Sequence, residues 1–222
     1  MPTIANVTRP AAAGDAIAER FEFTGIGSEY FRIWAVNLVL TLATLGIYSA
    51  WAKVRKTRYF WQNTRIDGCA FDFHGRPIAI LRGRLIALAL LVAYTWSLRL
   101  SAVAVLAMVA LLCGGGPWLF LKSQQFKLRN SSHRGLRFGF AATEREAYKT
   151  ALPPLVLYFS SAVFTALAGT NVKSYIVILG IISLATVVLI PAIHHRLKAF
   201  QHGFAMYGDL RFAFTGRRRS FY

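Results

Sequence analysis

Runs of about twenty apolar residues alternate with strongly basic segments along this chain, and that alternation narrows the possible folds more than any other feature. A helix needs roughly 20 mostly apolar residues to cross the hydrocarbon core of a bilayer. Five stretches qualify as spans, at about 33–52, 85–98, 102–121, 152–168 and 174–190. The first is interrupted only by Asn37 and small hydroxyl residues, and Trp34 and Trp51 lie near its ends, where interfacial anchors sit. Arg99 and Ser101 divide the long stretch 85–121, and Gly169, Thr170, Asn171 and Lys173 divide 151–193, so each predicts a tight helical hairpin. Pro153 and Pro154 suit a first helical turn, while Gly114 to Pro117 reads as a helix break at a span end. The expected fold class is an all-α membrane protein, a polytopic helical bundle. It forms one domain over 21–222 behind a flexible N-terminal tail over 1–20.

Charge orients this bundle. The chain carries 26 Lys and Arg against 9 Asp and Glu, and 21 of those 26 lie in segments 53–84, 122–149 and 196–219. Basic residues in short loops favour the cytoplasm, so the three segments are expected to share the cytoplasmic face, with a hairpin crossing and returning between each pair. The first 32 residues hold three basic and four acidic side chains, and a single first span would put them outside. Residues 1–20 lack the apolar core and cleavage site of a secretory signal. Cys69 in a basic loop and Cys113 in an apolar run are not expected to meet.

The basic segments also resemble one another, and repeats of this length usually reveal architecture. Setting Trp51 on Trp118 places Arg55 on Lys122, Tyr59 on Phe126, Asn63 on Asn130, Gly68 on Gly135, Phe71 on Phe138 and Phe73 on Phe140, at a constant offset of 67. A looser third copy runs from Pro191 through Arg196 and Lys198 to Gly208, Phe212 and Phe214, with one residue inserted before its Phe-x-Phe. Each alternation has the period of two that a strand needs to put both rings on one face. Short strands are therefore expected in the basic loops. Phe21-Glu22-Phe23-Thr24-Gly25 repeats the signature near the N-terminus. If the copies occupy equivalent places, the first apolar run enters and returns as a helix broken near Gly46, and the tail stays inside.

The run Glu29-Tyr30-Phe31-Arg32-Ile33-Trp34, then Thr44 to Arg55, then Asn63-Thr64-Arg65-Ile66-Asp67-Gly68, resembles the YjgN-like family of bacterial inner-membrane proteins. So does Leu128-Arg129-Asn130 with Arg134-Gly135-Leu136-Arg137-Phe138-Gly139-Phe140. The resemblance covers about residues 20–222. It implies a multi-pass protein of the bacterial inner membrane but no activity, because the family is defined by a domain of unknown function. Members are commonly longer. Ser220-Phe221-Tyr222 matches Glu29-Tyr30-Phe31, so a further span would follow it and the chain reads as a short or truncated member.

Lys53, Arg55, Lys56 and Arg58 interleave with Trp51, Tyr59 and Trp61. With Lys122, Lys127, Arg129, Arg196 and Lys198 they are the candidate contacts for anionic lipid headgroups, to which each cation near the surface contributes on the order of 1 kcal/mol. The same charges serve equally as topology signals, and that demand removes the need for a nucleic-acid partner. Asn37 is expected to bond a neighbouring helix. The spans otherwise lack ionisable residues, which argues against a proton relay. His194, His195 and His202 have no Cys or carboxylate at ligand spacing, so no metal or other cofactor is expected. No Gly-x-Ser-x-Gly elbow or phosphate loop is present, and Asp67 and Asp72 read as neutralising nearby arginines. The expectation is a nonenzymatic, lipid-binding or scaffolding membrane protein, acting as a homo-oligomer or with an unidentified membrane partner. The alternative is a small-solute transporter or channel with sites at breaks near Gly46, Gly114 to Pro117 and Pro191.

Overall fold

The computed structural model describes residues 20–168 and 172–217. The tail before Arg20, the expected division at residues 169–171 and the closing residues 218–222 lie outside the described residues. In chain order the elements are β1 (Phe21–Phe23), α1 (Gly27–Ala43), α2 (Ser49–Gln62), β2 (Thr64–Ile66), β3 (Cys69–Phe73), α3 (Pro77–Leu100), α4 (Ala102–Arg129), β4 (Ser131–His133), β5 (Leu136–Phe140), α5 (Glu144–Ala168), α6 (Val172–Gly203), β6 (Ala205–Tyr207) and β7 (Leu210–Arg211). The strands form one antiparallel seven-stranded sheet in the order β1 to β7. An all-α description is therefore incomplete. Individually marginal strands gain support by pairing with one another across the helical pairs.

Each helical pair leaves one strand and returns to the next, and the same contacts secure each return. Backbone N–H groups of Thr24, His74 and Ala141 donate to the carbonyls of Asn63, Asn130 and Phe204, at 2.9, 2.7 and 2.9 Å. The Asn63 and Asn130 amides each donate to a carbonyl one turn back, Tyr59 and Phe126, at 2.8 Å, closing the ends of α2 and α4. Asp67-Gly68 and Arg134-Gly135 both have positive φ at the two turn positions, the type I′ geometry that suits the twist of a hairpin. In the third hairpin Gly208 takes the first turn position instead, with φ 58°, as in a type II′ turn. The expected inserted residue is thus absent: Tyr207 pairs with Leu210 across two residues, and the glycine alone has moved.

Strand alternation puts Phe21, Phe71, Phe73, His133, Phe138, Phe140 and Tyr207 on one face, by the registers that pair Phe71 with His133 and Phe138 with Tyr207. That face meets the helix ends. Trp61 of α2 lies 5.4 Å from Phe71 and 6.3 Å from Phe138, while Phe140 packs with Leu121 and Phe200. The opposite face carries Glu22, Arg65, Asp72, Ser132, Arg137 and Arg211.

In three of the Phe-x-Phe segments the second ring covers a glycine two residues on. A Cβ at Gly25, Gly75 or Gly216 would fall 2.4, 2.4 or 2.5 Å from the ring of Phe23, Phe73 or Phe214. Phe73 is buried and cannot swing aside. Gly75→Ala is expected to cost about 1–3 kcal/mol, the usual penalty of overpacking, read as a lowered melting temperature in detergent.

The helix limits correct several expectations. The span 33–52 is not continuous: α1 ends at Ala43, and Leu45 and Gly46 both take positive φ, 50° and 91°, before α2 starts. β1 pairs with β2, so Phe21–Phe23 lies with the other strands, and the first pair turns back as the reading of a break near Gly46 anticipated. Division at Ser101 holds, with its hydroxyl accepting from the Ala104 N–H at 3.2 Å as an N-cap. By contrast Pro153 and Pro154 lie inside α5, which begins at a capping box where the Glu146 carboxylate accepts from the Thr143 N–H at 2.7 Å. Pro117 and Pro191 are also helix-internal, so Gly114 to Pro117 is no break. Gly116 instead admits Leu155 of α5, which lies 2.9 Å from where its Cβ would stand. The Tyr148 hydroxyl donates to the Gly114 carbonyl there, one residue beyond the Cys113 carbonyl that Pro117 leaves without its helical donor. Asn37 is buried, and its Oδ1 has no hydrogen-bond partner among the described residues.

Among the described residues, three helices are long and apolar enough to cross a membrane, against the five spans expected: α3, α4 and α6 from Ile176. None of the residues in the most apolar window of α3 or α6 is buried. Their side chains point outward, which suits a hydrocarbon solvent and would be costly in water.

Candidate functional site

α2 is where basic and aromatic residues converge. Its break from α1 at Gly46 and its amide-closed end at Asn63 hold a polar 14-residue helix against α1 and the start of α3. Between them lies an open cleft of about 440 Å³, lined by Ile33, Tyr48, Trp51, Val54, Arg55, Arg58, Tyr59, Gln62 and Pro77. Tyr48 stacks on Trp51 with ring centroids 6.2 Å apart. The Tyr59 hydroxyl accepts from the Ile26 N–H and donates to the Ile26 carbonyl, both at 2.9 Å. Arg58 Nε donates to the Phe73 carbonyl at 3.4 Å, tying the cleft to β3. Arg55 offers its guanidinium with no carboxylate paired to it among the described residues. Such a cleft presents two cations and several ring edges, a lining matched to a phosphate headgroup above an acyl chain.

The other candidate cations divide into two sets. Lys53, Lys127 and Lys198 come from α2, α4 and α6, and Lys127 lies within electrostatic reach of both others. His202 lies near Lys198 and Lys127. Like charges held together favour an anion among them. Lys56 and Lys122 sit over the rings of Tyr30 and Trp118, at 5.9 and 5.5 Å from the centroids, while Arg129 and Arg196 are exposed near the sheet-side ends of α4 and α6. Thus Arg55 and Arg58 share the cleft, the three lysines form a separate group, and Lys56, Lys122, Arg129 and Arg196 stand apart. The signature residues serve the frame: Asn63 and Asn130 close helices, Gly68, Gly135 and Gly208 make turns, and Phe71, Phe73, Phe138, Phe140, Phe212 and Phe214 provide packing. Of the two tryptophans, Trp51 lines the cleft and Trp118 carries Lys122.

The acidic and histidine residues take specific partners. Asp67 pairs with Arg134 of the next hairpin; acceptance by Cys69 and then Asp67 pushes the Arg134 guanidinium still higher than its ordinary value. Cys69 and Cys113 are both free thiols. His195 bonds the Gly216 carbonyl at 2.9 Å, and His202 stacks on Phe214. Among the described residues no group of three His, Cys, Asp or Glu is arranged to hold a metal.

A model of bacterial proteins of unknown function, DUF898, matches residues 18–222. The chain belongs to the DUF898 family. It is 32% identical over 208 residues to the inner membrane protein YjgN of Salmonella typhimurium, a match covering 86% of this chain and 51% of that protein. Against the inner membrane protein YjgN of Escherichia coli K12 the identity is 41% over 59 residues, 27% of this chain and 15% of the relative. The chain thus spans about half the length of the Salmonella relative. No solved structure matches. The resemblance read from the Trp51 and Phe138 motifs is borne out, and DUF898 membership brings no assigned activity with it.

Sequence reasoning missed one polar group. His74 and Ser132 meet on the outward sheet face, where His74 Nε2 lies 2.8 Å from Ser132 Oγ. His74 follows its Phe-x-Phe by one position, which returns it to the side of Asp72; its neighbour Ser132 is 58 residues away. No local pattern marks that pair.

Proposed function

We propose that this chain is a multi-pass protein of the bacterial inner membrane that binds anionic lipid headgroups at a basic cytoplasmic face, organising the surrounding membrane as a scaffold. The cleft on α2 carries the reading, because it sets Arg55 and Arg58 beside Trp51, Tyr48 and Tyr59. Support also comes from the relatives, which are named inner membrane proteins, and from the mutual approach of Lys53, Lys127 and Lys198. The architecture we infer is a threefold repeat of strand, two helices and strand. Recurrence of the Thr24, His74 and Ala141 bonds supports it. The α3–α4 and α5–α6 pairs cross the bilayer and return. The first pair enters less deeply, since the 17 residues of α1 rise about 26 Å against a core of about 30 Å.

Native mass spectrometry of the detergent-purified chain tests this and reports its oligomeric state. Retained phosphatidylglycerol in preference to phosphatidylcholine is expected. Arg55→Gln with Arg58→Gln should weaken that retention by roughly 30-fold, from about 1 kcal/mol for each cation. Equal retention of both lipids, or full retention by the folded double variant, would leave these charges as topology signals alone.

A further inference from the structure

The outward face of the sheet holds a second polar centre, with a lining that shares no residue with the cleft on α2. His74 Nε2 lies 2.8 Å from Ser132 Oγ, and its other ring nitrogen, Nδ1, lies 3.6 Å from Asp72 Oδ2. Register explains the meeting. Asp72 and Ser132 are directly opposed on β3 and β4, and Arg137 is opposed to Ser132 on β5. The second carboxylate oxygen of Asp72, Oδ1, accepts the Phe73 N–H at 2.7 Å, which fixes the carboxylate. All four side chains line one open cavity of about 380 Å³. Arg134, at its rim, is occupied by Asp67, whereas Arg137 has no carboxylate paired with it among the described residues.

We propose that Ser132, His74 and Asp72 form a nucleophilic centre for a small, water-soluble carboxylic ester. A hydroxyl bonded to an imidazole whose far nitrogen faces a carboxylate is the arrangement that activates serine, and it is defined by geometry and not by chain order. Ser132 Oγ bonds to the ester carbonyl carbon as its proton passes to His74 Nε2. Asp72 holds the resulting imidazolium through Nδ1–H. Charge developing on the carbonyl oxygen falls beside the Arg137 guanidinium, in the role of an oxyanion donor. The carbon–oxygen bond to the alcohol then breaks, and the proton on Nε2 goes to that departing oxygen, leaving an acyl group on Ser132. Water attacks the acyl carbon and gives a proton to His74; the acid departs, and Ser132 recovers its proton. The cavity opens away from the helices, so the substrate arrives from water. Nothing in this step draws on the lipid reading.

The test treats the detergent-purified full chain with a fluorophosphonate, which loses fluoride to an activated serine, and maps the adduct by peptide mass spectrometry. Modification is expected at Ser132 and lost in His74→Gln. The adjacent Ser131 is an internal control, because it faces the helices and donates to the Lys127 carbonyl at 2.9 Å. Hydrolysis of p-nitrophenyl acetate should fall on the order of 10²-fold or more in His74→Gln, the share a general base supplies. Mapping on the unaltered chain does not depend on any variant folding. No adduct on the folded chain, an adduct at another serine, or labelling that survives His74→Gln overturns the proposal. So does a Ser132→Ala chain that loses only melting temperature while the parent shows no turnover, which would leave the trio as a lock on the β3–β4 seam.

Discussion

Phe140→Ala is expected to be the most damaging single truncation in the sheet, costing about 3–5 kcal/mol, the range for a buried aromatic ring replaced by a methyl group. Phe140 ends β5, and its ring stands edge-on to Phe200 of α6 at 5.3 Å and near Phe204 at 6.4 Å. Leu121 of α4 and Ala147 of α5 complete the cluster around it. One side chain therefore joins the sheet to three helices. Leu136, on the same strand and the same face, is 46% exposed, so Leu136→Ala should cost well under half as much. Thermal melting in detergent distinguishes the two: a shift of roughly 10 °C for Phe140→Ala and only a few degrees for Leu136→Ala. Equal shifts would mean that the Phe140 cluster does not anchor the sheet.

That cluster shows where sequence was informative. Phe138 and Phe140 stand out because a period of two puts both rings on one face, and their copies at Phe71 and Phe73 locate β3, whereas Phe212 and Phe214 lie just past β7, which ends at Arg211. The Ser101 boundary was likewise legible, since a cap residue among apolar neighbours has a local cause. Pairing was not. β1 and β2 meet across a helical pair, and the bonds joining Thr24 to Asn63 or His74 to Asn130 depend on where α2 and α4 end. The prolines misled for a related reason. Pro117 and Pro153 look like punctuation, yet both lie inside long helices that packing against their neighbours holds together. Arg55 and Arg58 were picked out by their aromatic company, but their joint access to one cleft needed the turn at Gly46. For Ser132 and His74 there was no signal at all, as each is unremarkable in its own strand and only register brings them together.

Sidedness gives an all-or-none outcome. In a chain carrying Cys69→Ala and Cys113→Ala, single cysteines at Glu22, Asp209 and Leu100 report β1, the last hairpin and the far end of α3. All three positions are exposed. An impermeant maleimide added to intact cells is expected to label Leu100→Cys and neither Glu22→Cys nor Asp209→Cys until the membrane is opened. The reason is the pairing of Phe21 with Ile66 and Phe23 with Thr64, which holds the start of α1 beside the end of α2. A first helix crossing alone would carry Phe21 to the opposite side and break that ladder. On the proposed reading, the density of Lys and Arg near the sheet puts its side in the cytoplasm. Labelling of Glu22→Cys from outside, with Asp209→Cys protected, would show that β1 leaves the sheet in the membrane. Labelling of both, with Leu100→Cys protected, would invert the whole molecule and put the arginine cleft on α2 at the outer leaflet.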